Sequence, residues 1–341
     1  MRFVIDGREA AREQVTGKGQ WTRGFLGELR RRGLDVDVLD HVREPAPGLL
    51  WHWRSAMYLQ KLARAEDILY VSTTSTLIPA FFGARIPCVQ IVHDLIAFHN
   101  EPHDRKARLI ERNTLGRALR HARAICTVSD ATTRELLSRF PAVSAKKVAT
   151  VYAGPKNTDT AMNVSDGKTI FCVGTLCPRK NQHRLIEAFS LLAPELRARV
   201  KLVLMGGRGW HDEGIIAAAR STPGVEWIGY GSEEGREELL QRCAVFAVPS
   251  LYEGFGLSML DALQRGAIVI TSRNGSLPEV AGDAAVYVDP LSPASIAEGI
   301  SRCLSDQALQ SRLRVAGPNQ AKLFSWQKTV DRFLAHIAAC G

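Results

Sequence analysis

Along the first half of the chain, short runs of almost uninterrupted apolar residues alternate with longer stretches in which apolar residues return every third or fourth position. The runs fall at residues 2–6, 35–39, 68–72, 88–92, 124–128 and 148–152. An apolar run bounded by turn residues is what a parallel strand looks like when helices cover both faces of its sheet. The stretches between have helical spacing; residues 21–32, for example, form an amphipathic segment that Gly33 closes as a C-cap. The pattern restarts after residues 154–167, a polar stretch rich in turn formers and poor in large apolar residues, which reads as a linker. Beyond it, apolar runs at 168–174, 201–205, 225–229, 245–249, 267–271 and 285–288 are each followed by a helical segment. Two doubly wound α/β domains flanking one cleft are predicted. Ligands of open α/β sheets sit beyond the C-terminal ends of the strands, so the loops after Asp6, Val92, Gly174, Gly206 and Ser250 are where chemistry is expected.

Composition narrows this picture without redirecting it. At 341 residues the chain exceeds the usual size of one core, as two domains require. With 45% hydrophobic and 23% charged residues it reads as globular throughout, not disordered or fibrous. No apolar stretch approaches the ~20 residues that span a bilayer, and the strand-like run at the N-terminus is too brief for a signal peptide's apolar region. The seven cysteines are scattered, without a C-x-x-C pair for zinc or redox chemistry, and read as reduced thiols of a cytoplasmic protein. Charge is uneven. Almost all of the net +9 falls in residues 1–155, which hold 24 Lys and Arg against 16 Asp and Glu; the remainder has 20 against 19. Such a field suits an anionic membrane, an anionic substrate or a nucleic acid, and its sign does not choose among them.

Two loops carry the chemistry. Residues 249–266 read as a strand end, a glycine-containing loop Glu253-Gly-Phe-Gly, and a helix beginning near Leu257. Free amides and the helix dipole make such an N-terminus a diphosphate site, and Gly254 and Gly256 allow close approach to the backbone. Glu253 at the loop entrance and Asp261, about one turn into the helix, are acceptor-only carboxylates suited to two sets of sugar hydroxyls. An isolated Glu-Gly-x-Gly recurs by chance, so its context matters. The second loop, Val173-Gly-Thr-Leu-Cys-Pro-Arg179-Lys180-Asn181, presents two adjacent cations after a strand, with Asn181 placed to cap a helix. Arg grips phosphate bidentately and Lys supplies a point charge. The histidines and carboxylates form no H-x-x-x-H or D-x-D constellation at a strand end, so fixed cations and helix N-termini are left to neutralise a leaving diphosphate.

Together these segments resemble the retaining GT-B glycosyltransferases typified by bacterial lipopolysaccharide and exopolysaccharide mannosyl- and rhamnosyltransferases. The resemblance runs over nearly the whole chain: Thr16-Gly-Lys-Gly, Val92-His93-Asp94, Thr127-Val-Ser129, the Arg179-Lys180 and Glu253 segments, Ser276-Leu-Pro-Glu279, and Phe324-Ser-Trp326 opening a last helix. It implies the GT-B fold, with an acceptor-binding Rossmann-like domain at 1–155, a nucleotide-sugar-binding one at 156–322, and a segment 323–341 whose helix crosses back to the first. It assigns Arg179 and Lys180 to the donor diphosphate with Gly174 beside them. It assigns Glu253, Gly254, Phe255, Gly256 and Leu257 to the transferred sugar and phosphate, His93 to the neighbourhood of the reaction centre, and Gly17 and Gly19 to a loop across the cleft. Asp261 falls where the family usually has a second glutamate for the ribose hydroxyls; the shorter side chain puts that contact in question.

The resemblance further implies retention of configuration without a protein nucleophile, the leaving phosphate taking the acceptor's proton. The donor is expected to be a nucleotide-diphosphate sugar, GDP-mannose by resemblance alone. The acceptor is expected to be a glycan, often linked to polyisoprenyl diphosphate, and nucleic acid is not an expected partner. Arg23, Arg30, Arg31, Arg32, the 51–54 segment and the arginine-rich stretch 105–123 are candidates to hold the first domain on an anionic membrane. A sugar-nucleotide epimerase and a non-catalytic nucleotide-sugar-binding protein are the competing readings.

Overall fold

The computed structural model describes residues 1–40, 48–75, 78–83, 85–100, 104–157 and 160–341. They divide into two compact units. Met1–His99, Arg105–Gly154 and Phe324–Gly341 form one, and Pro155–Leu323 is the body of the other.

In the first unit the strands are β1 (Arg2–Asp6), β2 (Val36–Leu39), β3 (Ile68–Ser72), β4 (Cys88–Val92), β5 (Ala124–Thr127) and β6 (Val148–Thr150), all paired in parallel in the order β2-β1-β3-β4-β5-β6. The helices are α1 (Gly17–Arg31), α2 (Gly48–Ala65), α3 (Ile78–Phe82), α4 (Arg105–His121) and α5 (Asp130–Arg139). Right-handed crossovers put α1 on one face of this sheet and α2 to α5 on the other. The second face is closed by a core that includes Trp51, Leu59, Ile78, Leu115, Leu119 and Leu136. Helix α1 starts four residues before the amphipathic pattern does, because Thr16 caps it, its hydroxyl accepting from the Gly19 amide. Gly17-Lys18-Gly19 is therefore the first turn of a helix, not the loop expected there. Gly33, at φ 70°, takes the left-handed position just past the helix end.

In the second unit the strands are β7 (Thr169–Val173), β8 (Lys201–Met205), β9 (Val225–Trp227), β10 (Val245–Val248), β11 (Val269–Thr271) and β12 (Ala285–Tyr287), in the order β12-β11-β10-β7-β8-β9. The helices are α6 (Gln182–Ser190), α7 (Pro194–Arg197), α8 (Glu213–Ser221), α9 (Glu233–Arg242), α10 (Leu257–Gln264), α11 (Leu277–Ala281), α12 (Pro293–Ser305) and α13 (Gln307–Ala321). Strand order reverses between β7 and β10, so the loops leaving these two strands meet at the topological switch point where such sheets bind ligands. Several strands are shorter than their apolar runs; β9 stops at Trp227, and Gly229 turns the chain at φ 71°. The segment read as a linker is stitched to this unit. Asn163 is buried, its amide nitrogen donating to the Leu240 and Cys243 carbonyls, while the backbone of Val164 and Asp166 donates to Gln241 and Arg242.

A last helix, α14 (Trp326–Ala339), packs on α1, β5 and β6 of the first unit, capped by the Ser325 hydroxyl, which accepts from the Lys328 amide. Its Phe333 ring lies 4.9 Å from Phe25 and 6.0 Å from Phe3. Among the described residues no helix is long and apolar enough to cross a membrane, and the seven cysteines are free thiols.

Candidate functional site

The loops after β7 and β10 are joined by a short hydrogen-bond ladder. The Leu251 amide donates to the Arg179 carbonyl at 2.8 Å, and Arg179 Nη1 donates to the Tyr252 carbonyl at 2.8 Å. The Asn181 side chain donates to the carbonyls of Pro249, at 2.9 Å, and Pro290, at 2.7 Å. Asn181 therefore does not cap α6 with its side chain, as expected from sequence; it sits at φ 63° and ties two strand ends together. A third loop, after β11, braces the second: Ser272 Oγ donates to the Ser250 carbonyl, and both the amide and the hydroxyl of Ser276 donate to the Glu253 carbonyl.

On this frame Arg179, Lys180 and Glu253 form one cluster. Arg179 Nη1 lies 2.7 Å from Glu253 Oε2, Lys180 Nζ 2.6 Å from Oε1, and Ser250 Oγ donates to Oε1 at 2.7 Å. Glu253 is buried, while Arg179 and Lys180 keep 18% of their side-chain surface exposed. Burial pushes the Glu253 carboxyl up, but Lys180 and Arg179 outweigh it and hold the group down at about 2. The sequence suggests a carboxylate open to sugar hydroxyls; in the structure its oxygens are held by the two cations and Ser250. A carboxylate so placed keeps two partly exposed cations fixed beside each other, where an incoming diphosphate can take them over.

Gly174 makes room for this cluster. Its φ is 146°, and a Cβ there would come 3.3 Å from Lys180 Cε. Gly256 is the N-cap of α10 at φ 97°, a conformation that costs an ordinary residue about 1–2 kcal/mol. No side chain caps the helix; the Met259 amide donates to the Gly256 carbonyl, the Leu257 and Ser258 amides precede it, and the helix dipole points out of the β10 loop. Phe255 is buried, and Gly254 and Leu257 lie at the surface of the same turn. Gly174, Arg179, Lys180 and Glu253 through Leu257 are thus brought together.

Asp261 is not brought to that cluster. It is fully buried, its Oδ1 accepting the Lys156 amide at 2.8 Å and its Oδ2 ion-paired to Arg236. Arg236 also holds Glu233 and Glu237, each at 2.9 Å, Arg265 pairs with Glu237, and Lys156 pairs with Glu233. Both of its oxygens are held inside this ion-pair network, so the ribose contact expected of Asp261 would need the network to open. Sequence reasoning missed Arg236 because its partner lies 25 residues away on another helix.

His93, Gly17 and Gly19 belong to the first unit. His93 follows β4, its ring set edge-on to Trp21 at 5.3 Å between centroids and bonded to the Thr73 backbone, while Nε2 is buried without a hydrogen-bond partner. Burial, with help from Lys18, pushes its pKa down to about 3, so the ring is neutral and Nε2 is an acceptor. With Lys18, Asp94, Glu111, Thr74 and Ser75, His93 lines a cavity with room for about one water molecule. Lys18 Nζ is 4.0 Å from Asp94 Oδ2, and the buried Glu111 carboxyl is raised by desolvation. Gly19 packs where a Cβ would come 2.3 Å from the Glu9 carbonyl, whereas a Cβ on Gly17 would meet nothing. The Gly19 amide is bonded to the Thr16 hydroxyl, and Gly17 opens the helix. Sequence reasoning also missed Lys18 and Glu111, which reach the cavity from α1 and α4.

A family model described as glycosyl transferases group 1 matches residues 157–320, and one described as glycosyltransferase family 4 matches residues 15–155. Among curated relatives, O-antigen chain mannosyltransferase B of Escherichia coli is 33% identical over 257 residues, covering 70% of this chain and 67% of that one. The serotype-specific mannosyltransferase WbdA of Escherichia coli is 32% identical over 179 residues, which is 50% of this chain but 21% of that longer protein. Among solved structures, sucrose-phosphate synthase from Thermosynechococcus elongatus superposes with a TM-score of 0.78 at 17% identity, covering 100% of both chains. Anabaena HepE, solved in complex with UDP and glucose, gives 0.77 at 16% identity, covering 99% of this chain and 100% of that one.

Proposed function

Because the chain belongs to the glycosyltransferases, group 1 in its second half and family 4 in its first, we propose that it moves a hexose, mannose in the first instance, from a nucleotide-diphosphate donor to a growing cell-surface glycan with retention of configuration. The fold is GT-B, with two Rossmann-like domains. The observation that carries the donor reading is the Arg179–Lys180–Glu253 cluster at the switch point of the second sheet, beside the side-chain-free cap of α10. On this reading the donor diphosphate takes Arg179 and Lys180 from Glu253 and adds the Leu257 and Ser258 amides at the start of α10. Glu253, released from one or both cations, then has oxygens for sugar hydroxyls. The leaving diphosphate gains negative charge as the glycosidic bond breaks, and cations already fixed in place stabilise it without reorganising. The leaving phosphate accepts the acceptor's proton, so no protein nucleophile is needed.

Mannose rests on the mannosyltransferase relatives, and GDP and a polyisoprenyl-diphosphate-linked acceptor rest on the family resemblance. No residue of the site reads guanine. The test is a screen of GDP-, UDP- and dTDP-sugars with a lipid-linked glycan acceptor. Transfer from GDP-mannose with the α-linkage retained is the expected result. Isomerised sugar nucleotide in the absence of acceptor would make the protein an epimerase, and binding without turnover would make it a nucleotide-sugar-binding protein.

A further inference from the structure

The helices covering one face of the first sheet are unlike those covering the other. On α2 the exposed positions make one stripe, Leu50, Trp53, Arg54, Met57, Lys61 and Arg64, at the three- and four-residue spacing of a single helix face. Trp53 and Met57 leave 51% and 52% of their surface in solvent, and Trp51, two residues before Trp53, is fully buried. Next to α2, α3 ends in the exposed Phe82. Beyond it, α4 exposes Leu109 (65%) and Ile110 (44%) together with Arg105, Lys106 and Arg120. These three helices hold a single carboxylate, Glu111, and it is buried. On the opposite face, Arg31 and Arg32 of α1 are paired with Glu28, Arg32 also with Asp331, and Arg23 donates to the Ala10 carbonyl.

We infer that α2, α3 and α4 form the surface by which this protein docks on an anionic lipid bilayer. Large apolar side chains standing out among cations, with no exposed acid on the same helices, match a layer that is negatively charged at its surface and apolar just beneath. A second copy of the chain is a poor occupant, because juxtaposing two such faces sets cations against cations. A nucleic acid would answer the charge but not the aliphatic Leu50, Met57, Leu109 and Ile110. Leu50, Trp53, Leu109 and Ile110 lie in the first halves of α2 and α4, at the end of the sheet where β2 and β4 finish. Glu111, one position past Ile110, turns inward to the cavity beside His93. Docking therefore sets that cavity near the headgroup level, where a lipid-linked acceptor presents its sugar. The arginines of α1, candidates for this role by sequence, are replaced in it by those of α2 and α4.

The experiment is co-sedimentation of the full chain with vesicles of phosphatidylcholine alone and of phosphatidylcholine with phosphatidylglycerol. Partitioning onto the anionic vesicles is expected to be at least about tenfold stronger, and to weaken as salt rises from about 0.1 M to about 1 M. The double variant Trp53→Glu, Leu109→Glu is expected to lose about tenfold or more, with thermal unfolding showing that it remains folded, and Arg30→Glu on the opposite face to bind as the parent does. Equal binding by the double variant, or indifference of the parent to phosphatidylglycerol, overturns the inference. So does a lipid-independent dimer, or binding of single-stranded RNA, that the double variant abolishes. No sugar substrate enters the measurement, so its failure would leave the transfer reading untouched.

Discussion

At Glu253, burial alone would drive the carboxyl towards its protonated form, and Lys180, Arg179 and the Ser250 hydroxyl reverse that. The group is both a member of the proposed donor site and the counter-ion that keeps two cations together without donor. Glu253→Gln keeps the shape and removes the charge. It is expected to cost about 3 kcal/mol in urea unfolding, as breaking a buried ion pair does, and at least ~100-fold in transfer. Lys180→Ala leaves Glu253 paired to Arg179 and Ser250, so stability should change little, while transfer falls at least ~100-fold and nucleoside diphosphate no longer raises the melting temperature. Near-normal turnover by Lys180→Ala would remove these residues from the site. Asp261 poses the opposite case, a motif position whose side chain is enclosed by Arg236. Asp261→Asn is expected to destabilise by about 3 kcal/mol, and less when combined with Arg236→Met, because the second change removes the stranded charge. A stable Asp261→Asn protein that has lost only nucleotide binding would restore the ribose role.

Helix α14 begins 176 residues after Thr150, where β6 ends, yet it packs with that sheet. The contact is tight at one point: a Cβ on Gly24 of α1 would come 2.1 Å from the Trp326 ring. Gly24→Ala must therefore displace α14 or bend α1, an overpacking expected to cost about 1–3 kcal/mol, visible as a lower urea midpoint. An unchanged midpoint would mean that α14 is held more loosely than its aromatic contacts suggest. The same logic explains why α10 starts where it does. Gly256 takes a left-handed conformation and offers no capping side chain, so the glycine fixes both the turn and the open helix end.

For the whole molecule, acid stability draws on several depressed groups, Glu28, Asp166, Asp212 and Glu233 among them, and on two at the sites described above. His93 is held to about 3 from an ordinary 6.5 by burial, and Glu253 to about 2 from 4.5 by its cations, against the pull of burial. In each case the unfolded chain takes up a proton that the folded chain refuses, so stability falls as pH falls: from 6.5 towards 3 through His93, and from 4.5 towards 2 through Glu253. His93→Gln should flatten the first limb, measured as urea midpoints between about pH 7 and about pH 5; an unchanged slope would mean that the ring is protonated in the fold. The sequence by itself determined the succession of strands and helices, since continuous apolar runs and helical spacing are local properties, and it determined the two loops that carry Arg179-Lys180 and Glu253-Gly-Phe-Gly. Only the tertiary structure decided what those residues touch. Glu253 meets its cations because β10 lies beside β7. Asp261 meets Arg236 because two helices 25 residues apart share a face, and Arg31 and Arg32 of α1 are paired with Glu28 while Arg54 of α2 and Arg105 and Arg120 of α4 are exposed. Charge pairing and burial depend on which elements become neighbours, and a pattern read along one chain contains no distances between them.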